Sequence, residues 1–228
     1  MAIGLIALVV IVTLAFLPGM WIKGVLSRHA TERADFPGTG GELARHLLDE
    51  MKLAHVRVEE TKAGDHYDPL AKVVRLSPDH MRKKSLSAIV VAAHEVGHAM
   101  QDATGYAPLK ARTKLANQAR KVEILGSIIM LLSPVMLLLM KAPAAVLMEL
   151  GLGMLVLSFG VLMHAVTLPV EFDASFRRAL PVLKAGHYIA DKDMSSARQI
   201  LRAAAFTYVA AAAMSLLNVA RWLRVLRI

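Results

Sequence analysis

The chain has 228 residues, 56% of them hydrophobic but only 5% aromatic, a formal net charge of +9 and no cysteine. This excludes a disordered chain and a disulfide-stapled domain, and the excess of Leu, Val, Ala and Met over the roughly 45–50% apolar content of ordinary soluble chains points to lipid-facing segments. With no thiolate available, a bound metal must rest on the nine His and the 18 Asp and Glu side chains.

Four stretches approach the ~20 apolar residues needed to cross a ~30 Å hydrocarbon layer. The first, Ile3 to Ile22, carries no charge. It lacks a basic leading region and an A-x-A-like cleavage site, so it reads as a retained anchor. A polar block follows, Lys23 to Lys121, with 17 Lys and Arg against 12 acids. By the positive-inside rule the block is cytoplasmic and the N-terminus lies outside. Within it, Gly40 to Leu53 spaces Leu43, Leu47, Leu48 and Met51 as an amphipathic helix. Val56 to Glu59 and Lys72 to Leu76 read as a small β-ribbon, with turn signals at Lys62 to Asp65 and Asp68-Pro69. A helix starts near Ser85 and stops at Thr104-Gly105. The run Arg82-Lys83-Lys84 reads as a solvated or lipid-headgroup face, and no motif supports nucleic-acid binding.

The second and third stretches, Ile124 to Met140 and about Ala144 to Leu168, form a hairpin around Lys141-Ala142-Pro143. The hairpin returns Val170 to Arg202 to the side of the polar block. The fourth stretch, Ala203 to Ala220, is alanine-rich; as a span it leaves Arg221, Arg224 and Arg227 outside, against the charge rule.

Chemistry is carried by His94-Glu95-Val96-Gly97-His98 in the middle of the helix from Ser85. Residues four apart share a helix face, so both imidazoles can meet one Zn²⁺, while Glu95, about 100° round, stands beside the open coordination position as general base. Small Gly97 leaves room next to His98. A catalytic zinc needs a third protein ligand, and residues 101 to 108 offer no further His. A Glu is wanted, and the downstream glutamates are Glu123, Glu149 and Glu171. Glu171 follows the third stretch directly, and the hairpin delivers it to the side of His94 and His98. Asp173 is a candidate to support a ligand imidazole. His187, Tyr188, His66 and Tyr67 are within possible reach as oxyanion helpers, and the Lys72 to Leu76 strand could pair with an extended peptide through its edge.

Further motifs accompany this one: His-Tyr-Asp-Pro at 66–69, Val-Val-Arg-Leu-Ser-Pro at 73–78, Gly-Tyr-Ala-Pro-Leu-Lys at 105–110 and Leu-Pro-Val-Glu-Phe-Asp-Ala-Ser at 168–175. Together with Val91 to Ala99 they resemble the YugP-type membrane zinc metallopeptidases over about residues 1 to 225. The resemblance implies a gluzincin-like site with His94, His98 and Glu171 as ligands and Glu95 as catalytic base. More distantly the chain is similar to the prenyl-protein and heat-shock membrane proteases, whose third-ligand helix reads Glu-x-x-x-Asp; here the fourth residue after Glu171 is Ser175.

The expected fold is mainly α: a multi-pass membrane helical bundle with a small cytoplasmic α+β zincin-like unit. Its expected parts are an N-terminal anchor (1–22), the zincin-like unit (23–121), a transmembrane hairpin (122–168), a third-ligand helix segment (169–202), and a C-terminal membrane helix with basic tail (203–228). The expected activity is zinc-assisted hydrolysis of peptide bonds in membrane or membrane-proximal proteins, at the cytoplasmic face of the cell membrane. Expected partners are a protein or peptide substrate, the lipid bilayer and a membrane-protein complex, with no nucleic acid. The alternative is a catalytically silent zinc-containing scaffold of such a complex, and retention of Glu95 argues against it.

Overall fold

A computed structural model describes residues 13, 16, 17, 19–119, 121, 124, 128, 151, 159 and 162–225. Helix α1 (19–28) leads to α2 (Gly40–Glu50), strands β1 (Arg57–Glu60), β2 (His66–Asp68) and β3 (Val73–Leu76), and the short α3 (Pro78–Arg82). Then come α4 (Leu86–Ala103), α5 (107–119) and α6 (162–172), which runs through a π-helical segment (Asp173–Ala179) into α7 (Leu180–Ala185). A 3₁₀ turn (Asp191–Asp193) opens the long α8 (Met194–Val225).

Local chemistry sets the helix starts. Thr39 caps α2 by accepting from Glu42 N–H while the Glu42 side chain accepts from the Thr39 N–H, a reciprocal capping box. Ser85 caps α4 by accepting from Ala88 N–H. Helix α2 buries only the stripe Leu43, Ala44, Leu47 and Leu48, whereas α4 is buried on nearly every face from Leu86 to Ala99. A helix apolar all round must be surrounded. Accordingly α4 is the axis of the molecule, packed by α2, β2, β3, the π segment, α7 and α8.

The sheet has the order β1-β3-β2. β1 pairs parallel with β3, Val58 opposite Val74, and β2 pairs antiparallel with β3, Tyr67 opposite Val74. The expected two-strand ribbon is thereby corrected. The link from β1 to its parallel partner carries a third strand, only three residues long and too short for a periodic pattern to reveal. Central β3 has no free edge; the edge strand beside α4 is β2.

The π segment has a cause in sequence. Pro181 has no N–H to give the preceding turn, and Leu180 N–H donates to Ser175 O five residues back. The wide turn begins two residues after Glu171.

The expected multi-pass membrane bundle is not what the structure shows. Among the described residues no helix is long and apolar enough to cross a membrane. The expected spans at 3–22, 124–140 and 144–168 fall mostly outside the described residues. The fourth, 203–220, continues α8, which packs against the protein: Ala197, Ile200, Leu201, Ala203 and Ala205 are buried, while Arg198, Gln199, Arg202 and Phe206 are exposed. That sorting by face is amphipathic, and its cause is docking against α4 and α7.

Candidate metal centre

Helix α4 presents His94 and His98 one turn apart, their rings edge to face with centroids 4.7 Å apart. Glu95 sits between them in sequence, and all three are buried. Helix α6 brings Glu171, 3% exposed, across to the same face. Its Oε2 lies 3.3 Å from His94 Nε2 and 3.5 Å from His98 Nε2. The approach depends on Gly97, where a Cβ would stand 2.8 Å from Ala174 O. The room left by this glycine is therefore filled by the backbone of the third-ligand segment.

The outer nitrogens of the imidazoles are held as well. Gln101, fully buried, donates through Nε2 to Val170 O (2.8 Å) and to Asp173 Oδ2 (2.9 Å). Its Oε1 must then face His98 Nδ1 at 2.9 Å and accept, which turns the other ring nitrogen, Nε2, toward Glu171. Arg178 Nε donates to the same Asp173 oxygen at 2.7 Å. On the other imidazole, Ser175 Oγ is 3.1 Å from His94 Nδ1. Asp173 is thus linked to the His98 imidazole through Gln101, and Ser175 meets the His94 imidazole directly.

The carboxylates differ sharply. Burial by itself would raise the Glu171 carboxyl, but bonds to His94 and His98 hold it well below the usual range. Glu95 has no such compensation: burial pushes it up to about 7, with Glu171 and Asp65 adding to the rise and His94 and the Tyr67 N–H opposing it. Two neighbouring acids set apart in this way fit a ligand and a proton carrier.

Donor atoms of His94, His98 and Glu171 all lie within 4.8 Å of one another, the one group among the described residues able to hold a metal ion. Two imidazoles and one carboxylate with no thiolate match the donor set of a catalytic zinc. Arg112 of α5 touches the outer oxygen of Glu171, Oε1, at 3.2 Å.

A cleft opens on each side of the centre. One, about 190 Å³, lies between β2 and α5 and reaches His98, with Tyr67, Leu70, Leu109 and Arg112 in its walls. The other, about 230 Å³, reaches His94, Glu95 and Glu171, with Tyr208 of α8 among its lining residues. The sequence-derived helper candidates are elsewhere or otherwise engaged. Tyr188 bonds His46 at 2.9 Å, His187 is exposed in a turn, His66 Nδ1 is bonded to Gly64 O, and Tyr67 donates to Asp102 at 2.6 Å. Glu123 and Glu149 lie outside the described residues. Sequence reasoning missed Gln101, Arg112 and Tyr208. For Gln101 a signal exists, a polar residue three positions after His98 on the same helix face; for the other two there is none.

No solved structure matches this chain. A curated protein of Bacillus subtilis (strain 168), named "Putative membrane protease YugP", is 36% identical over 220 residues, spanning 93% of this chain and 91% of its own length. The family profile described as "Putative neutral zinc metallopeptidase" matches residues 4–227, nearly the whole chain. With that coverage, and with a buried two-His, one-Glu centre at its core, the chain belongs to the neutral zinc metallopeptidase family.

Proposed function

We propose that this chain is an endopeptidase whose zinc is held by His94, His98 and Glu171 and whose general base is Glu95. The observation that carries the reading is the burial of Glu95 in the cleft that also reaches His94 and Glu171. Bound zinc supplies Lewis acidity, which acidifies water and polarises a carbonyl. Glu95, pushed toward neutrality by burial, accepts the proton of the attacking water and returns it to the leaving amine. Gln101 and Ser175 hold the imidazoles in register. An extended peptide laid along the β2 edge enters the cleft on the His98 side, which Tyr67 and Asp68 line.

The substrates proposed are membrane or membrane-proximal proteins, met at a membrane surface. The name of the Bacillus relative supports this, as does the cluster of exposed apolar side chains Phe16, Leu17 and Met20 ahead of Trp21 and Phe206.

The test is cleavage of a membrane-protein substrate by zinc-loaded wild type and Glu95→Gln. Loss of the base should lower the rate about 10²–10⁴-fold with zinc content unchanged. Equal rates in the two proteins reject the assignment and leave a silent zinc-holding scaffold as the better reading.

A further inference from the structure

The cleft on the Glu95 side is walled by aliphatic side chains from three helices, Leu26 of α1, Val91 of α4 and Ile200 and Leu201 of α8. Among the described residues five polar side chains line it: Asp65, His94, Glu95, Glu171 and Tyr208. Asp65 is already engaged on both oxygens, Oδ1 by the Ser77 N–H at 2.7 Å and Oδ2 by His80 at 2.8 Å. Under the reading above, His94 and Glu171 belong to the zinc and Glu95 to the water proton. Among the described residues, Tyr208 is then the remaining lining side chain with a proton to donate, and it shares the cleft with His94, Glu95 and Glu171. The phenol is carried on a helix held by its buried residues Ile200, Leu201, Ala203 and Ala205, of which Ile200 and Leu201 line the cleft beside it.

Peptide hydrolysis needs a donor at this place. As the water oxygen bonds to the carbonyl carbon, the π electron pair moves onto the carbonyl oxygen, and a preorganised donor in an apolar cleft stabilises that charge far better than solvent does. We infer that Tyr208 is a catalytic residue: from the wall of this cleft its hydroxyl hydrogen-bonds the scissile carbonyl oxygen and the negative charge that builds there. The phenol keeps its proton throughout. Glu95 takes one proton from water, the carbon–nitrogen bond breaks as the oxyanion collapses, and the amine leaves with the proton that Glu95 carried. The inference rests on the hydrolase reading, and it adds the electrophilic partner that none of His66, Tyr67, His187 and Tyr188 provides.

Tyr208→Phe in the full chain, loaded with zinc, tests it. Expected are unchanged zinc content and thermal midpoint, kcat for a peptide cleaved by wild type lowered about 10²–10³-fold, and KM within about threefold. Affinity for a phosphinic peptide, which mimics the charged tetrahedral state, should fall by the same factor as kcat, while affinity for the product peptide stays put. A kcat within threefold of wild type overturns the inference. Loss of zinc in Tyr208→Phe also overturns it, because the hydroxyl then serves to hold Glu171. If wild type itself cleaves no peptide, the hydrolase reading has failed. The phosphinic peptide still decides Tyr208 in that case, since equal binding to both proteins rejects the role and weaker binding to Tyr208→Phe supports it.

Discussion

Gln101 shows how one buried amide can fix the chemistry of a neighbour. Its two donor protons are committed to Val170 O and Asp173 Oδ2, so its oxygen has no choice but to accept from His98 Nδ1. Replacing it by Leu removes that orientation and takes away the acceptor of the buried His98 Nδ1 and a donor to Val170 O, while Asp173 Oδ2 keeps Arg178. Partners of this kind are typically worth 10–100-fold in metal affinity. Gln101→Leu is therefore expected to weaken zinc binding by about that factor, read by titration against a competing chelator, and to cost about 1–3 kcal/mol of stability. At this scale the sequence was partly legible. His94, Glu95 and His98 are announced by their spacing, which is what a shared metal on one helix face requires. Gln101 is marked only by standing three positions after His98 on the same helix face, and Ser175 only as the residue four after Glu171; neither position says which ring nitrogen it meets. Asp173 was visible as a candidate, but its route through Gln101 to His98 depends on the distance between two helices.

Between elements, the close crossing of α4 and the third-ligand segment decides whether Glu171 reaches the imidazoles. Gly97→Ala puts a methyl 2.8 Å from Ala174 O, a backbone atom that cannot swing aside. The helices must part, at about 1–3 kcal/mol, and Glu171 recedes from His94. The expected outcome is a lowered urea midpoint together with weaker zinc binding, whereas an exposed Ala substitution on α2 should change neither. A second junction joins the β2 turn to α3, where Asp65 accepts from the Ser77 N–H and pairs with His80. Burial by itself would raise the Asp65 carboxyl, but these bonds hold it below the usual aspartate range. A depressed carboxylate contributes stability above its unfolded value, near 4, and loses it as pH falls through the lower folded value. Asp65→Asn should therefore be less stable than wild type at pH 7 by about 1–3 kcal/mol, with the gap closing below about pH 4. Urea midpoints of the two metal-free proteins across that range check it. Helices α2 and α4 could be read from their caps and periodicity, α4 to within a residue at its start. β2 could not, because three residues hold no period, and the π segment could not, because a proline inside a helical run reports a break without saying how the chain absorbs it.

At the scale of the molecule, the centre joins two halves of the chain more than 70 residues apart, α4 on one side and α6 on the other. A metal bound there stabilises the folded state by RT ln(1 + [L]/Kd), about 2.7 kcal/mol at a hundredfold excess over Kd. The thermal midpoint should therefore rise with free zinc in wild type and fall on chelation, and in Glu171→Gln it should respond little to either. A midpoint of wild type indifferent to zinc argues that the three side chains do not share a metal. Composition pointed to a bundle of membrane spans, and here the whole-molecule reading went astray. An alanine-rich stretch such as 203–220 is apolar whether it faces lipid or a protein core, and α8 uses its beginning to cover α4. By itself the sequence determined the class of donor open to a metal and the helix that carries the two candidate histidines, because the absence of cysteine and a four-residue spacing are properties of the chain alone. Glu171 was already a candidate in the sequence, but only the tertiary structure decided that it meets the two imidazoles and which other groups stand round them. Glu171, Gln101, Arg112 and Tyr208 come from α6, α4, α5 and α8, and their meeting depends on how closely helices cross, which side-chain volumes and a single glycine control.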